Sequence, residues 1–408
     1  MNIKKNKVIN MLLMLMIISC LFGEILYSYI PSMNFILFLP DLFCALIIVF
    51  IIFNSRNNGL KISLKKSNQS CIILGVFLLY VIISVIWSTF NFYNIVVRFR
   101  YIFFGIFTYC VVKTYLNNDT YKKIINLMSI VQILNMILTI YQNIIMGKHP
   151  DFCNGIFGFV GYANAAQGSF CVAISLLSLI YYISGTWKAI RSFSLIGMSC
   201  VICAFAEIKI YFVLFVIGTI GIIVIRKNSL KDKIKIFIGS VLVAILLYVA
   251  YRILLVVLPN NLYAFFSLSG YMSYDGRSTY AGRLNTIPYI YENLFHQNNL
   301  KALFGTGLGS NSFEYIYELG KLFSELGFLG LSIIVIFLIS IFWFYFSPAR
   351  KSTRTQEQMF CAVYAIIFFI AIVVWNCTFT RFTYLNFFFL ALSSVTWENR
   401  TIRKGERE

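Results

Sequence analysis

A chain of 408 residues with 60% hydrophobic and only 12% charged side chains cannot cover a water-soluble surface, which ordinarily needs about 25% charged residues. The net charge of +19 does not indicate nucleic acid, because Lys and Arg cluster between apolar runs instead of forming one basic face. Only two histidines occur, His149 and His296, neither with a partner at metal-ligand spacing, so neither a metal centre nor a cofactor is expected.

In chain order, apolar stretches long enough to span a bilayer occupy 8–30, 33–53, 71–90, 93–115, 124–146, 162–183, 190–207, 208–225, 235–258, 323–346, 359–379 and 381–397. They predict an all-α, polytopic transmembrane helix bundle of about twelve helices, forming one integral membrane domain over residues 1–408. The first run follows Lys4, Lys5 and Lys7, exceeds the roughly 7–15 residues of a secretory signal core and lacks a small-residue cleavage site, so it reads as the first helix. Cys20, Cys44, Cys71, Cys110, Cys171, Cys200, Cys203 and Cys361 lie inside apolar runs and read as packing residues. Cys200 and Cys203 have redox-motif spacing, but mid-span a thiolate is costly.

Loop charge then fixes the expected topology. Lys and Arg are retained on the cytoplasmic side, and they concentrate in alternate loops. These are Arg56 to Lys66, Lys113 to Lys123, Lys188 with Arg191, Arg226 to Lys235, Arg350 to Arg354 and the two termini. Both termini are therefore expected to be cytoplasmic. The parity requires one long apolar stretch to be split near Glu207 and Lys209.

Two external loops are long, 147–161 and 259–322, and loops beyond about 12–15 residues are usually functional or disordered. The second lies between the ninth and tenth helices. It mixes Tyr263, Phe265, Phe266, Tyr271 and Tyr274 with turn signals at Pro259-Asn260-Asn261 and Asp275-Gly276, so it is expected to fold onto the membrane with an amphipathic helical piece in Thr279–Phe295.

Ten basic residues oppose the positive-inside trend: Arg98, Arg100, Lys148, Lys209, Arg252, Arg277, Arg283, Lys301, Lys321 and Arg381. Recognition of phosphate is one reading, to which the arginine fork is suited. Snorkelling to the interface is the plainer one for Arg98, Arg100 and Arg252, and an ion pair within a turn for Glu207 and Lys209. Arg98 and Arg100, two apart on a helix, face opposite sides. Gly305-Thr-Gly-Leu-Gly309 resembles a phosphate loop only superficially, since no Gly-Lys-Ser/Thr follows, and it reads as a tight backbone turn. A general base would come from Asp151, Asp275, Glu292, Glu314, Glu318, Glu325 or His296.

Three stretches carry a family resemblance. They are Phe157-Gly-Phe-Val-Gly-Tyr-Ala-Asn-Ala-Ala-Gln-Gly168, Ala206-Glu-Ile-Lys-Ile210, and the ordered set Gly282-Arg283, Gly305-Thr-Gly-Leu-Gly309 and Glu325-Leu-Gly-Phe-Leu-Gly330. Together with the helix count they resemble the O-antigen polymerase and ligase family, polytopic enzymes acting on undecaprenyl-diphosphate-linked glycans. Ligases of that family typically place a His before the last motif. This chain has Glu314, Tyr315, Glu318 and Lys321 there, which favours a repeat-unit polymerase.

The resemblance implies a glycosyltransferase at the outer face of the bacterial cytoplasmic membrane; on that reading Arg283 and Glu318 are the expected catalytic residues, Glu318 being chosen as base over Glu325 and Asp275 among the candidate carboxylates. Lys209, Arg98, Arg277 and Glu325 would bind substrate. Implied partners are an undecaprenyl-diphosphate-linked oligosaccharide, the lipid bilayer, a chain-length regulator and a flippase, with no nucleic acid. The alternatives are a flippase for the same lipid-linked oligosaccharide, or a ligase-type glycan transferase.

Overall fold

A segment inside a bilayer has no water to satisfy its backbone and folds as a helix, and each expected span that is described here does so. The computed structural model describes residues 2–56, 69–88, 91–159, 163–225, scattered positions between 234 and 249, 285–309, 317–347, 354–375 and 378–397, with no strand among them.

Helix α1 (Asn2–Tyr29) leads through a 3-10 segment, Pro31–Phe38, into α2 (Leu39–Arg56). Next come α3 (Gln69–Ser84), α4 (Phe92–Tyr115) and α5 (Asn118–Ile140), the last two capped by the Asn91 and Asn117 side chains. Helices α6 (Ala163–Ile183), α7 (Ala189–Phe205) and α8 (Lys209–Ile225) follow. Two short helices, α9 (Thr286–Asn293) and α10 (Asn299–Phe304), precede α11 (Glu318–Phe346), α12 (Gln356–Val374) and α13 (Thr383–Ala391).

Eight helical segments are long and apolar enough to cross a membrane, and Ala189–Phe205, Lys209–Ile225 and Thr383–Ser394 are shorter apolar helices. The protein is a multi-pass membrane bundle. The ninth expected span, 235–258, falls outside the described residues except for isolated helical positions up to 249. Helix α6 forms the centre, 94% of its apolar window being buried, whereas the α2 window is only 22% buried and lies at the periphery.

The expected split near Glu207 is present. Helix α7 stops at Phe205, Glu207 adopts φ 56°, and α8 starts at Lys209. The two ends of the bundle differ in kind. At one, Asn10 bonds the Tyr115 carbonyl (2.9 Å) and the Asn117 amide (3.0 Å), and Asn118 accepts from the Thr396 amide (3.0 Å). Tyr181 and the Trp397 amide both donate to Glu357 there. This end holds the start of α1 and the end of the described C-terminal segment, so both described chain ends share a side. The other end gathers the remaining buried charges.

The connection 147–159, expected to be external, folds back into the bundle at its second half. Its 3-10 turn Gly155–Phe157 is buried and clasped by side chains of α5 and of the π-helical segment Tyr141–Ile145 that continues it: Gln142 bonds both the amide (2.7 Å) and the carbonyl (3.0 Å) of Gly155, and Asn135 accepts from the Ile156 amide (3.1 Å). Gln167 of α6 completes the set, donating to Asn135 and Thr139. Irregular backbone is tolerated at depth when protein satisfies it in this way.

Candidate functional site at a broken helix

Helix α11 is interrupted at Gly327, whose φ 60° and ψ −163° are essentially accessible to glycine alone. A break there releases the Ser324 and Glu325 carbonyls, which would otherwise accept from amides four residues on. The turn after α10 takes them up. The Thr306 amide and hydroxyl each donate to the Ser324 carbonyl at 2.9 Å, and the Gly307 amide donates to the Glu325 carbonyl at 3.0 Å. The fit is close enough to require glycine on both sides. A Cβ on Gly305 would lie 2.3 Å from the Glu325 oxygen, and one on Gly327 would lie 2.5 Å from the Leu303 oxygen. Gly305-Thr-Gly-Leu-Gly309 and Glu325-Leu-Gly327 are thus two halves of one backbone contact.

This contact also positions α4. The Ser88 hydroxyl donates to the Leu308 carbonyl (2.7 Å), and Gly309 abuts Ile95, so Arg98, one turn farther on, arrives beside the broken helix. Its guanidinium is buried, and each of its three nitrogens donates a hydrogen bond. Nε donates to Glu325 Oε2 (2.7 Å), Nη2 to Glu318 Oε1, and Nη1 to the Phe379 carbonyl (3.2 Å). Glu318 and Glu325 are both 0% exposed at the side chain, and each keeps one buried oxygen without a hydrogen-bond partner, Glu318 Oε2 and Glu325 Oε1. Lys321 occupies the same face of α11, three residues after Glu318 and four before Glu325, where its charge acts on both carboxylates and on Arg98. Formal charge in this group of four cancels.

As expected for residues two apart, Arg100 takes the opposite side. It pairs with Asp41 at the start of α2, lies over the Phe38 ring (4.7 Å), and leaves its Nε without a partner. Tyr384 donates to the other Asp41 oxygen, and Arg381 binds Glu24 at 2.7 Å. Helix α13 and the turn before it reach both groups because α13 crosses α4 closely at Gly105, where a Cβ would meet Thr383 at 2.4 Å.

Lys209 sits in the α7–α8 hairpin, 3.4 Å from Glu207. Asn164 holds that hairpin through the Ala206 carbonyl (2.9 Å), and the missing side chain of Gly168 leaves room for Trp375 and Ile208. The Trp375 carbonyl in turn accepts from the Glu318 amide (3.2 Å). The structure therefore brings Arg98, Glu318 and Glu325 into one cluster, with Lys209 in the adjoining hairpin.

Arg277 and Arg283, with Asp275 and Glu314, lie outside the described residues. His296 is exposed at a turn with φ 51°, and His149 pairs with Asp151 on the surface at 3.6 Å. Among the described residues no three His, Cys, Asp or Glu side chains group as a metal-holding set. Sequence reading missed Glu24, Asp41 and Tyr384. The available signal was the isolated carboxylate in each of the first two apolar runs, since intramembrane charges are rarely idle.

The sequence matches no protein-family model and no curated protein.

Proposed function

We propose that the protein is a polymerase of lipid-linked polysaccharide repeat units, transferring a growing glycan from a polyprenyl diphosphate to a sugar hydroxyl at the outer face of the bacterial cytoplasmic membrane. The observation that carries this reading is the buried Glu318–Arg98–Glu325 group at a helix break, at the end of the bundle away from Lys113 and Arg191. A diphosphate is already a competent leaving group, so the protein has to align two lipid-anchored sugars, take up one proton and steady the departing charge.

In this mechanism the donor's anomeric C–O bond to phosphate breaks and a new C–O bond forms to the acceptor hydroxyl. The hydroxyl proton passes to Glu318, whose Oε2 has no hydrogen-bond partner; because that side chain is 0% exposed, the step requires the cluster to open to the acceptor, and Glu325 is the second carboxylate of the pair. Arg98, its fork filled by both carboxylates, orients them. Lys209 and, from the large loop, Arg283 and Arg277 meet the diphosphate.

A second reading, a flippase for the same lipid-linked oligosaccharide, draws support from the broken helix, a feature shared with transporters. Deleting the gene in its host separates the two. Loss of polymerisation leaves single repeat units on the outside, and loss of flipping retains them inside. Complementation with Glu318→Gln or Arg283→Ala is expected to yield membrane-inserted protein and single units only. Full-length polymer from either variant removes that residue from the mechanism.

A further inference from the structure

The Arg100 group differs from the Arg98 group in being open, and its opening is bordered by exposed apolar residues. Arg100 is 21% exposed, Asp41 16% and Arg381 34%, whereas Glu24 behind them is 3% exposed. Phe35, Phe38 and Leu42 beside them are 57%, 55% and 52% exposed. Phe35 and Phe38 eclipse each other, three residues apart in the 3-10 segment, and Phe38 carries the Arg100 guanidinium on its ring. Charge meets apolar surface directly here.

Two guanidinium groups act on Asp41, that of Arg100 by contact and that of Arg381 through its nearby charge. The Nε–H of Arg100 is buried without an acceptor, and such a donor carries a desolvation cost until an acceptor reaches it. Arg381 is itself paired with Glu24, so the two guanidinium and two carboxylate groups cancel formally, and an incoming phosphate competes with Asp41 for Arg100. Tyr384 holds the second Asp41 oxygen, so Asp41 stays hydrogen-bonded when Arg100 turns partly to another anion. A soluble phosphate would gain nothing from the aromatic border; an amphiphile would.

We propose that Arg100 and Arg381 form a second headgroup site, which takes the phosphate of a membrane lipid whose hydrocarbon lies along Phe35, Phe38 and Leu42. As the seat of the acceptor's lipid diphosphate, with the donor on the Arg98 side of α4, the site rests on the polymerase reading; as a lipid-phosphate site it does not.

The test uses the full chain in phosphatidylcholine nanodiscs, a polyprenyl phosphate bearing a photoreactive group near its phosphate, and peptide mapping of the labelled protein. Labelling is expected within residues 35–42, displaced by unlabelled polyprenyl phosphate and not by inorganic pyrophosphate. The charge-matched variant D41N/R100Q, which leaves no lone buried ion, is expected to lower that labelling fivefold or more. Arg100→Lys, which keeps the Asp41 pair but loses the Nε donor, is expected to lower it about threefold while eluting as the wild-type species does. Labelling that avoids 35–42, persists in D41N/R100Q, or is displaced equally by pyrophosphate overturns the proposal. Because the readout needs no polymer, a chain that labels here but never polymerises retains the site and loses the enzymatic reading.

Discussion

Arg98 and Arg100 stand two residues apart on one helix and have opposite surroundings. Arg98 is sealed among two carboxylates and a carbonyl. Arg100 reaches the bundle surface between one carboxylate and an aromatic ring. The difference comes from what each face of α4 meets: the broken helix α11 on one side, and the α1–α2 connection on the other. A charge in a bilayer-embedded protein is stabilised either by complete internal pairing or by access to the interface, and α4 uses both within less than one turn. The sealed group is suited to holding proton-accepting oxygens in a fixed geometry, and the open one to receiving a ligand.

That contrast breaks most severely at Arg98. Arg98→Ala leaves Glu318 and Glu325 buried without their counter-ion, and removing one side of a buried ion pair costs about 3–5 kcal/mol. Thermal unfolding in detergent should show a large loss, with no polymer made. Replacing Arg98, Glu318, Lys321 and Glu325 together by Met should restore most of the stability, because well-packed apolar groups match or better a buried ion cluster. Polymer should stay absent in that variant. Recovery of polymer would mean that the cluster is scaffold alone.

Next in size is Gly327→Ala. The added methyl would meet the Leu303 carbonyl at 2.5 Å and the Gly305 amide at 2.6 Å in a conformation that L residues avoid. Forcing such backbone costs about 1–3 kcal/mol, and the Gly305–Gly309 turn should lift away from α11. Protease accessibility of residues 299–309 should rise, and polymer length should fall.

The same glycines mark how much could be read in advance. The apolar runs gave helix positions directly, and charge parity required the hairpin at Glu207, because both follow from local composition. The Gly-rich turn was legible as a turn, and Glu325-Leu-Gly327 as a motif. Their mutual contact was not, since it spans the interval from residue 305 to 327 and depends on which carbonyls a helix break releases. Glu24 and Asp41 escaped notice because each is one carboxylate in a long apolar run, and only the approach of α13 at Gly105 supplies Tyr384 and Arg381 beside them. Alternation placed Arg98 and Arg100 on opposite faces. It could not say that one fork would be filled by Glu318 and Glu325.

On the open side the expected effects are smaller than at Arg98. Arg100→Ala removes one charge-assisted bond from a group that keeps some contact with its surroundings, and Asp41 retains Tyr384. A cost of about 1.5–3 kcal/mol is expected for a bond of that kind, below that of Arg98→Ala measured in the same thermal assay. An equal or larger loss would show that both arginines are structural to the same degree, and would remove the distinction between sealed and open groups.

The smallest effect on stability should come from Lys209→Gln. Its pair with Glu207 is 3.4 Å long and partly exposed, at 30% and 19% of the two side chains, and pairs of that kind contribute about 0–1 kcal/mol. The hairpin is held independently by Asn164 on the Ala206 carbonyl and Asn143 on the Phe205 carbonyl, so the fold should survive unchanged. If Lys209 steadies a departing diphosphate, polymer yield should nevertheless drop tenfold or more, with Lys209→Arg restoring part of it. A variant with wild-type stability and wild-type polymer would confine Lys209 to its ion pair and leave the large-loop arginines as the cations available to the leaving group.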